Sequence, residues 1–203
     1  MAAIELDHGA GKRQRVPAAE RRDALIDAAM VEFARGGLHG TPVANIARRV
    51  GVAQPYVFSL FPTKRELFIA AVERGFETVI TRFAEVRQGF EPDPADPSGS
   101  LRAALGEAYI ELLQSNRALL MLQLHAYAAC GEDEEIRTHV RRCYTELEQR
   151  LRSITQLGDT ELQKFLSIGM WLNVQAALGT GDLADACAWI VGPEPQATPQ
   201  QPA

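Results

Sequence analysis

The sequence predicts an all-α protein. Three observations carry that expectation. Apolar residues recur at three- and four-residue intervals from Ala18 to Leu178. No stretch keeps the two-residue alternation of a half-buried strand. Turn and cap residues (Gly36-Gly37, Thr41-Pro42, Gly51, Thr63, Gly131, Gly158) fall between the periodic stretches.

Residues 1–17 read as a flexible basic arm, with Lys12, Arg13 and Arg15 ahead of Pro17. The helical period then begins, with Leu25, Ile26, Ala29, Met30 and Phe33 on one face and Gly36-Gly37 as the stop. Thr41-Pro42 opens the next helix, Thr41 as N-cap and Pro42 at the first helical position. Gly51 ends it near Val50. A short aromatic helix follows, and Thr63-Lys64-Arg65-Glu66 is a capping box ahead of a long helix to about Gln88.

Glu91 to Ser100, with three prolines, reads as a linker. Four helices are expected beyond it: Leu101 to Gln114, Arg117 to Ala129, Asp133 to Thr155 and Thr160 to Leu178. A short segment, Leu183 to Ile190, ends the fold. The Pro/Gln-rich tail, 192–203, has no apolar face to bury. The domains so predicted are residues 18–62 and 63–191, between the arm and the tail.

Charge separates the same regions. Residues 1–65 carry a formal +4 and residues 66–203 a formal −9, for a net −5. A basic front suggests a polyanion-binding module joined to something else. Cys130, Cys143 and Cys187 are widely spaced and form no CxxC or Cys/His pattern, so neither a zinc site nor a disulfide framework is indicated. A reducing cytoplasm is the expected setting. The N-terminus has no signal-like apolar run, and the longest charge-free stretch, Phe165 to Gly181, falls short of a membrane span. No cofactor is expected. Asp133, Glu134, His139 and His125 show no ligand cage, so no metal is expected either.

Thr41 to Pro62, TPVANIARRVGVAQPYVFSLFP, has the spacing of a helix-turn-helix. Ala47 is small four residues before Gly51, where two helices cross steeply. Val57 is bulky six residues after it. Gly51 allows the positive φ that the turn needs. Ile46, Val50, Val52, Val57 and Leu60 form the apolar seam. The second helix would present Gln54, Tyr56 and Ser59 to a DNA major groove, with Pro55 in its first turn, where no amide is missed. Phe58 and Phe61 are expected to pack inward.

The stretch ALIDAAMVEFARGGLHGTPVANIARRVGVAQPYVFSLFPTKRELF resembles the DNA-binding domain of the TetR family of bacterial transcription regulators, from Arg21 to about Phe76. The resemblance implies three N-terminal helices for DNA and a larger helical domain for a small-molecule effector and for homodimerisation. It implies a phosphate contact at Thr41, base reading by Gln54, Pro55 and Tyr56, and a phosphate contact at Lys64. The sequence departs from the family pattern at Ala53 (usually Ser or Thr), Phe58 (usually Tyr) and Ser59-Leu60 (commonly His-Tyr).

Other candidates carry two readings each. Arg48 and Arg49 suit phosphates or a solvated face. The arm suits a minor groove or plain solubility. Tyr109, Met121, His125, Tyr127, Trp171 and Asn173 suit an apolar effector pocket or an ordinary core, and Trp171 a dimer contact as well. The helix containing LSIGMWLNVQAAL is apolar nearly all round. It is expected to meet a second copy through Ile168, Leu172, Gln175 and Leu178, with Glu135 to Thr155 completing a four-helix bundle. The function expected is a TetR-like regulator, a repressor binding a palindromic operator as a homodimer and released by a largely apolar ligand. The alternative is a DNA-binding or architectural protein that answers to no ligand. An enzyme is not expected, because no nucleophile-elbow, P-loop, HExxH or GxGxxG motif occurs.

Overall fold

The computed structural model describes residues 17–180. Eight α-helices and no strands occur among them: α1 (Ala18–Gly40), α2 (Val43–Val50), α3 (Gln54–Leu60), α4 (Lys64–Gly89), α5 (Pro97–Ser115), α6 (Arg117–Ala129), α7 (Glu134–Thr155) and α8 (Asp159–Leu178). The basic arm, the segment 183–190 and the tail lie outside the described residues.

The expected apolar face of α1 is the buried one. Leu25, Ile26, Ala29, Met30 and Phe33 are all at most 8% exposed. Phe33 meets Phe68 of α4 edge-on, 5.0 Å between ring centres, a favourable arrangement for two aromatic quadrupoles. The helix breaks at Gly37, whose backbone (φ 62°, ψ −169°) is one that only glycine adopts readily. The chain then turns into α2. Here Thr41 departs from its expected role. It is buried, and its hydroxyl donates to the carbonyls of Gly37 (2.8 Å) and Glu32 (3.1 Å). The N-cap position of α2 falls to Pro42. Thr41 thus fastens the corner between α1 and α2 from inside.

Gly51 (φ 72°) ends α2 as a left-handed cap, with its amide and that of Val52 returned to Arg48 O and Ala47 O. Ala47 and Val57 are 3% and 1% exposed, so the close crossing inferred from their spacing is present. Phe61 is buried, but Phe58 is 38% exposed, contrary to expectation. Val57 and Phe61, four residues apart, occupy the inner face of α3. Phe58 lies about 100° round from Val57 and so points outward.

Thr63 accepts the Glu66 amide and starts α4, a 26-residue helix against which α1, α5, α6 and α7 all pack. The linker is shorter than expected, because Pro97 to Ser100 already belong to α5. Asp96 caps that helix by accepting the Gly99 amide, and Pro97 suits its first turn. Asn116 caps α6 and Asp133 caps α7. The apolar stripe of α7 (Ile136, Val140, Cys143, Leu147, Leu151) is buried within the chain, where α7 packs chiefly on α4, so it is not open to a second copy. Among the described residues no helix is long and apolar enough to cross a membrane.

Candidate functional site

Two sites emerge, one on α2–α3 and one inside the larger helical region. On α3, Gln54, Pro55 and Ser59 are exposed, Pro55 and Ser59 on the side away from Val57 and Phe61 and Gln54 at the open first turn. Ser59 donates to Tyr56 O at 2.7 Å. Tyr56 is partly buried, with the guanidinium of Arg21 5.8 Å from its ring centre, and Arg22 lies 4.7 Å from the ring centre of Phe61. The start of α1 therefore steadies the short helix through two cation–π contacts. Seven residues form too short a helix to stand alone in water, so this bracing is needed.

The basic residues nearby are not equivalent. Arg48 is exposed and contacts the Asn45 carboxamide at 3.2 Å, which leaves its charge unneutralised. Arg49 is tied to Glu32 at 3.0 Å. Lys64 donates to His39 O at 3.0 Å, and partial burial lowers its pKa. Its ammonium is thus engaged with the end of α1, as the Thr41 hydroxyl is engaged with Glu32 and Gly37. Of the two expected phosphate contacts, the Thr41 hydroxyl is buried and engaged, whereas the Lys64 ammonium spends one of its three donors on His39 and keeps the others.

The second site is a cavity of about 60 Å³ among α4, α5, α6, α7 and α8. Its wall is mostly aliphatic and aromatic, including Phe76, Phe83, Leu119, Leu147, Phe165 and Met170. Polar groups gather in one place. The Tyr109 hydroxyl donates to Asn173 Oδ1 at 2.7 Å, and Gln123 Nε2 donates to the Tyr127 hydroxyl at 2.8 Å. Burial pushes the Tyr109 phenol up to about 12, partly opposed by its bond to Asn173. Burial raises Tyr127 and Tyr144 as well.

Of the six expected pocket residues, Tyr109, Tyr127 and Asn173 line this cavity, and Met121, His125 and Trp171 do not. The reason is helical phase. Leu119, Leu122, Gln123 and Tyr127 share one face of α6, and His125 lies on the opposite one. There it packs against Gly37, at the break in α1. Trp171 points out of α8, 46% exposed. Gln123 and Tyr144 were missed. An amide in the apolar run LLMLQLHAY, four residues before a tyrosine, was a signal for Gln123; Tyr144 sits in a charged stretch that gave none.

Trp171, Val174 and Leu178 form an exposed apolar face on α8, with Gln175 beside them. This corrects the expected interface in part. Leu172 is 1% exposed and Ile168 lines the cavity, so both face the chain's own interior.

The ends of α1 and α4 are joined to the α6–α7 turn by ion pairs. Arg65 reaches Asp133 (2.7 Å) and Glu135 (2.8 Å), and His39 reaches Glu132 (3.1 Å). The Asp133 carboxyl is held below its ordinary range by the Ile136 amide first and also by Arg65 and the Glu135 amide. No cluster suited to a metal occurs among the described residues.

A braced helix-turn-helix followed by an all-helical region with an apolar cavity is the arrangement of helical DNA-binding regulators, and known proteins share parts of it. Residues 25–71 match the family described as bacterial regulatory proteins, tetR family. That match spans the helix-turn-helix and the helices on either side of it, so this part of the chain is similar to the DNA-binding region of TetR-family regulators. It is 32% identical over 106 residues to the HTH-type transcriptional activator FasR of Mycolicibacterium smegmatis, covering 52% of this chain and 46% of that protein. It is 32% identical over 82 residues to the HTH-type transcriptional regulator RutR of Escherichia coli K12, covering 40% and 38%. The chain thus spans less than half the length of these curated relatives. Among solved structures, the transcriptional regulator FadR from Bacillus subtilis in complex with stearoyl-CoA superposes with a TM-score of 0.70 at 18% identity, over 83% of this chain and 95% of that one. That likeness extends the shared fold beyond the N-terminal helices.

Proposed function

We propose that the protein binds a palindromic double-stranded DNA operator as a homodimer, represses transcription there, and leaves the operator when a largely apolar small molecule enters the cavity. One observation carries the reading: α6 has the cavity on one face and the break in α1 on the other. A molecule that spreads the cavity displaces α6 against the helix that braces α3.

The cavity is narrow for this task. Small-molecule sites occupy about 300–1,000 Å³, so at about 60 Å³ the walls must part before an effector fits. Binding then favours a wider form of the protein, by as much as the effector's affinities for the two forms differ. In a dimer joined through the exposed face of α8, the two α3 helices would read half-sites about 34–36 Å apart. Gln54 and Tyr56 would read bases, with Pro55 and Ser59 beside them, and Arg48 would meet phosphate. Lys64 would meet phosphate with its remaining donors, and the buried Thr41 would contribute through backbone position in place of its side chain. The protein would act in the cytoplasm.

Activation is the second reading, favoured by the name of FasR, a transcriptional activator. A promoter–reporter assay decides. Deleting the gene raises transcription from the bound promoter if the protein represses and lowers it if it activates. No change from any promoter that the protein binds contradicts both.

A further inference from the structure

We propose that the cavity selects an uncharged, mainly apolar molecule carrying one hydrogen-bond-accepting carbonyl, such as a ketone, ester, lactone or amide. This rests on the reading of the cavity as the effector site and narrows the chemistry of the effector.

Electrostatics favour a neutral guest. Among the described residues, no Lys, Arg, His, Asp or Glu lines the cavity. An ion buried without a counter-charge costs far more than a hydrogen-bonding neutral group. Burial first, and neighbouring tyrosines after it, push the ionisation of Tyr109 and Tyr127 upward, so these hydroxyls stay neutral.

Donors and acceptors in the cavity do not balance. The Tyr109 proton goes to Asn173 Oδ1, and one Gln123 amide proton goes to Tyr127. Among the described residues, the Asn173 amide protons and the Tyr127 and Tyr144 hydroxyl protons have no acceptor. Asn173 is only 1% exposed and borders the cavity. Turning its carboxamide over leaves Tyr127 and Tyr144 as they were, with Tyr109 donating only to Gln123 Oε1 at 3.4 Å. The cavity therefore holds surplus donors, and an entering carbonyl supplies the missing acceptor. A cation supplies no acceptor. A carboxylate supplies one, at the cost of a buried unpaired charge.

The test uses the full-length protein and four probes with the same ten-carbon tail: methyl decanoate, decanoate, decyltrimethylammonium and decane. Calorimetric titration at pH 8, below any micelle concentration, gives the affinities, and release of labelled DNA is followed alongside. The expected result is methyl decanoate binding about tenfold or more tighter than each of the others. In Asn173→Leu that ester loses its advantage over decane. In Tyr127→Phe it loses part of it, which keeps the test open if Asn173→Leu does not fold. Decanoate or the ammonium compound binding as tightly as the ester, and releasing DNA, would overturn this inference and leave the effector cavity standing. An ester no better than decane would also overturn it. No binding by any probe would overturn the effector cavity itself, and this inference with it.

Discussion

Gly37 and His125 fit together without room for a methyl group. A Cβ on Gly37 would lie 2.9 Å from His125 Nδ1. The pair joins the break in α1 to the far side of the cavity helix. Gly37→Ala meets both this clash and a backbone conformation that L-residues avoid, so it should destabilise the protein by about 1–3 kcal/mol. Thermal unfolding of Gly37→Ala, His125→Ala and the double variant checks the pairing. The double variant should recover the steric part and keep the backbone part, giving a coupling above about 0.5 kcal/mol. Simple additivity would show that the contact carries no energy.

Arg48 and Arg49 should separate on DNA. Arg48→Ala is expected to weaken binding to all sequences and to reduce the slope of log K against log salt by about one. Arg49 is paired with Glu32, so Arg49→Ala should leave that slope almost unchanged. Gln54→Ala should instead relax sequence preference, at a cost of about 1–3 kcal/mol on the operator. Equal slopes for the two arginine variants would show that the pair with Glu32 opens on DNA.

Neighbouring residues on α8 should give opposite outcomes. Trp171→Glu and Leu178→Glu place charge on the exposed apolar face and should yield folded monomers in sedimentation experiments. Leu172→Ala removes a buried side chain. It should cost about 2–5 kcal/mol of stability with the subunits still associated. Trp171→Glu remaining a dimer would move the interface off this face.

Asp133 and Tyr109 each make stability depend on pH, on opposite sides of neutrality. The Asp133 carboxyl is held low by the Ile136 amide, Arg65 and the Glu135 amide. Its contribution is complete above the unfolded value, about 4, and drains away as pH falls through the lower folded value. Asp133→Ala should remove that acid-side dependence and cost about 0.5–2 kcal/mol as a lost cap. Tyr109 runs the other way. Its phenol, raised to about 12, protects the fold fully below the unfolded value near 10. That protection is lost as pH rises from there to about 12. Tyr109→Phe should flatten the alkaline limb of unfolding curves.

The sequence made most of this fold legible because local chemistry marks helix ends. Thr63, Gly131 and Gly158 place boundaries within a residue or two. The turn at Gly51 could be inferred because Ala47, Gly51 and Val57 constrain one another at fixed spacing. Side-chain direction was less accessible. His125 and Gln123 are two residues apart in the same apolar run, and only the phase of α6 against α1 separates junction from cavity. Thr41 looked like a cap because Thr-Pro commonly opens helices. The break at Gly37 instead brings two carbonyls within reach of its hydroxyl.

The proposed function depends on sequence-specific DNA binding through α3. Fluorescence anisotropy with DNA from upstream of the protein's own gene, against random DNA and across a salt series, tests it most directly. The expected result is tight, saturable binding to one palindromic fragment, outcompeting random DNA, weakening steeply with salt, with the preference reduced in Gln54→Ala. Equal affinity for every fragment, unchanged in Gln54→Ala, would contradict it.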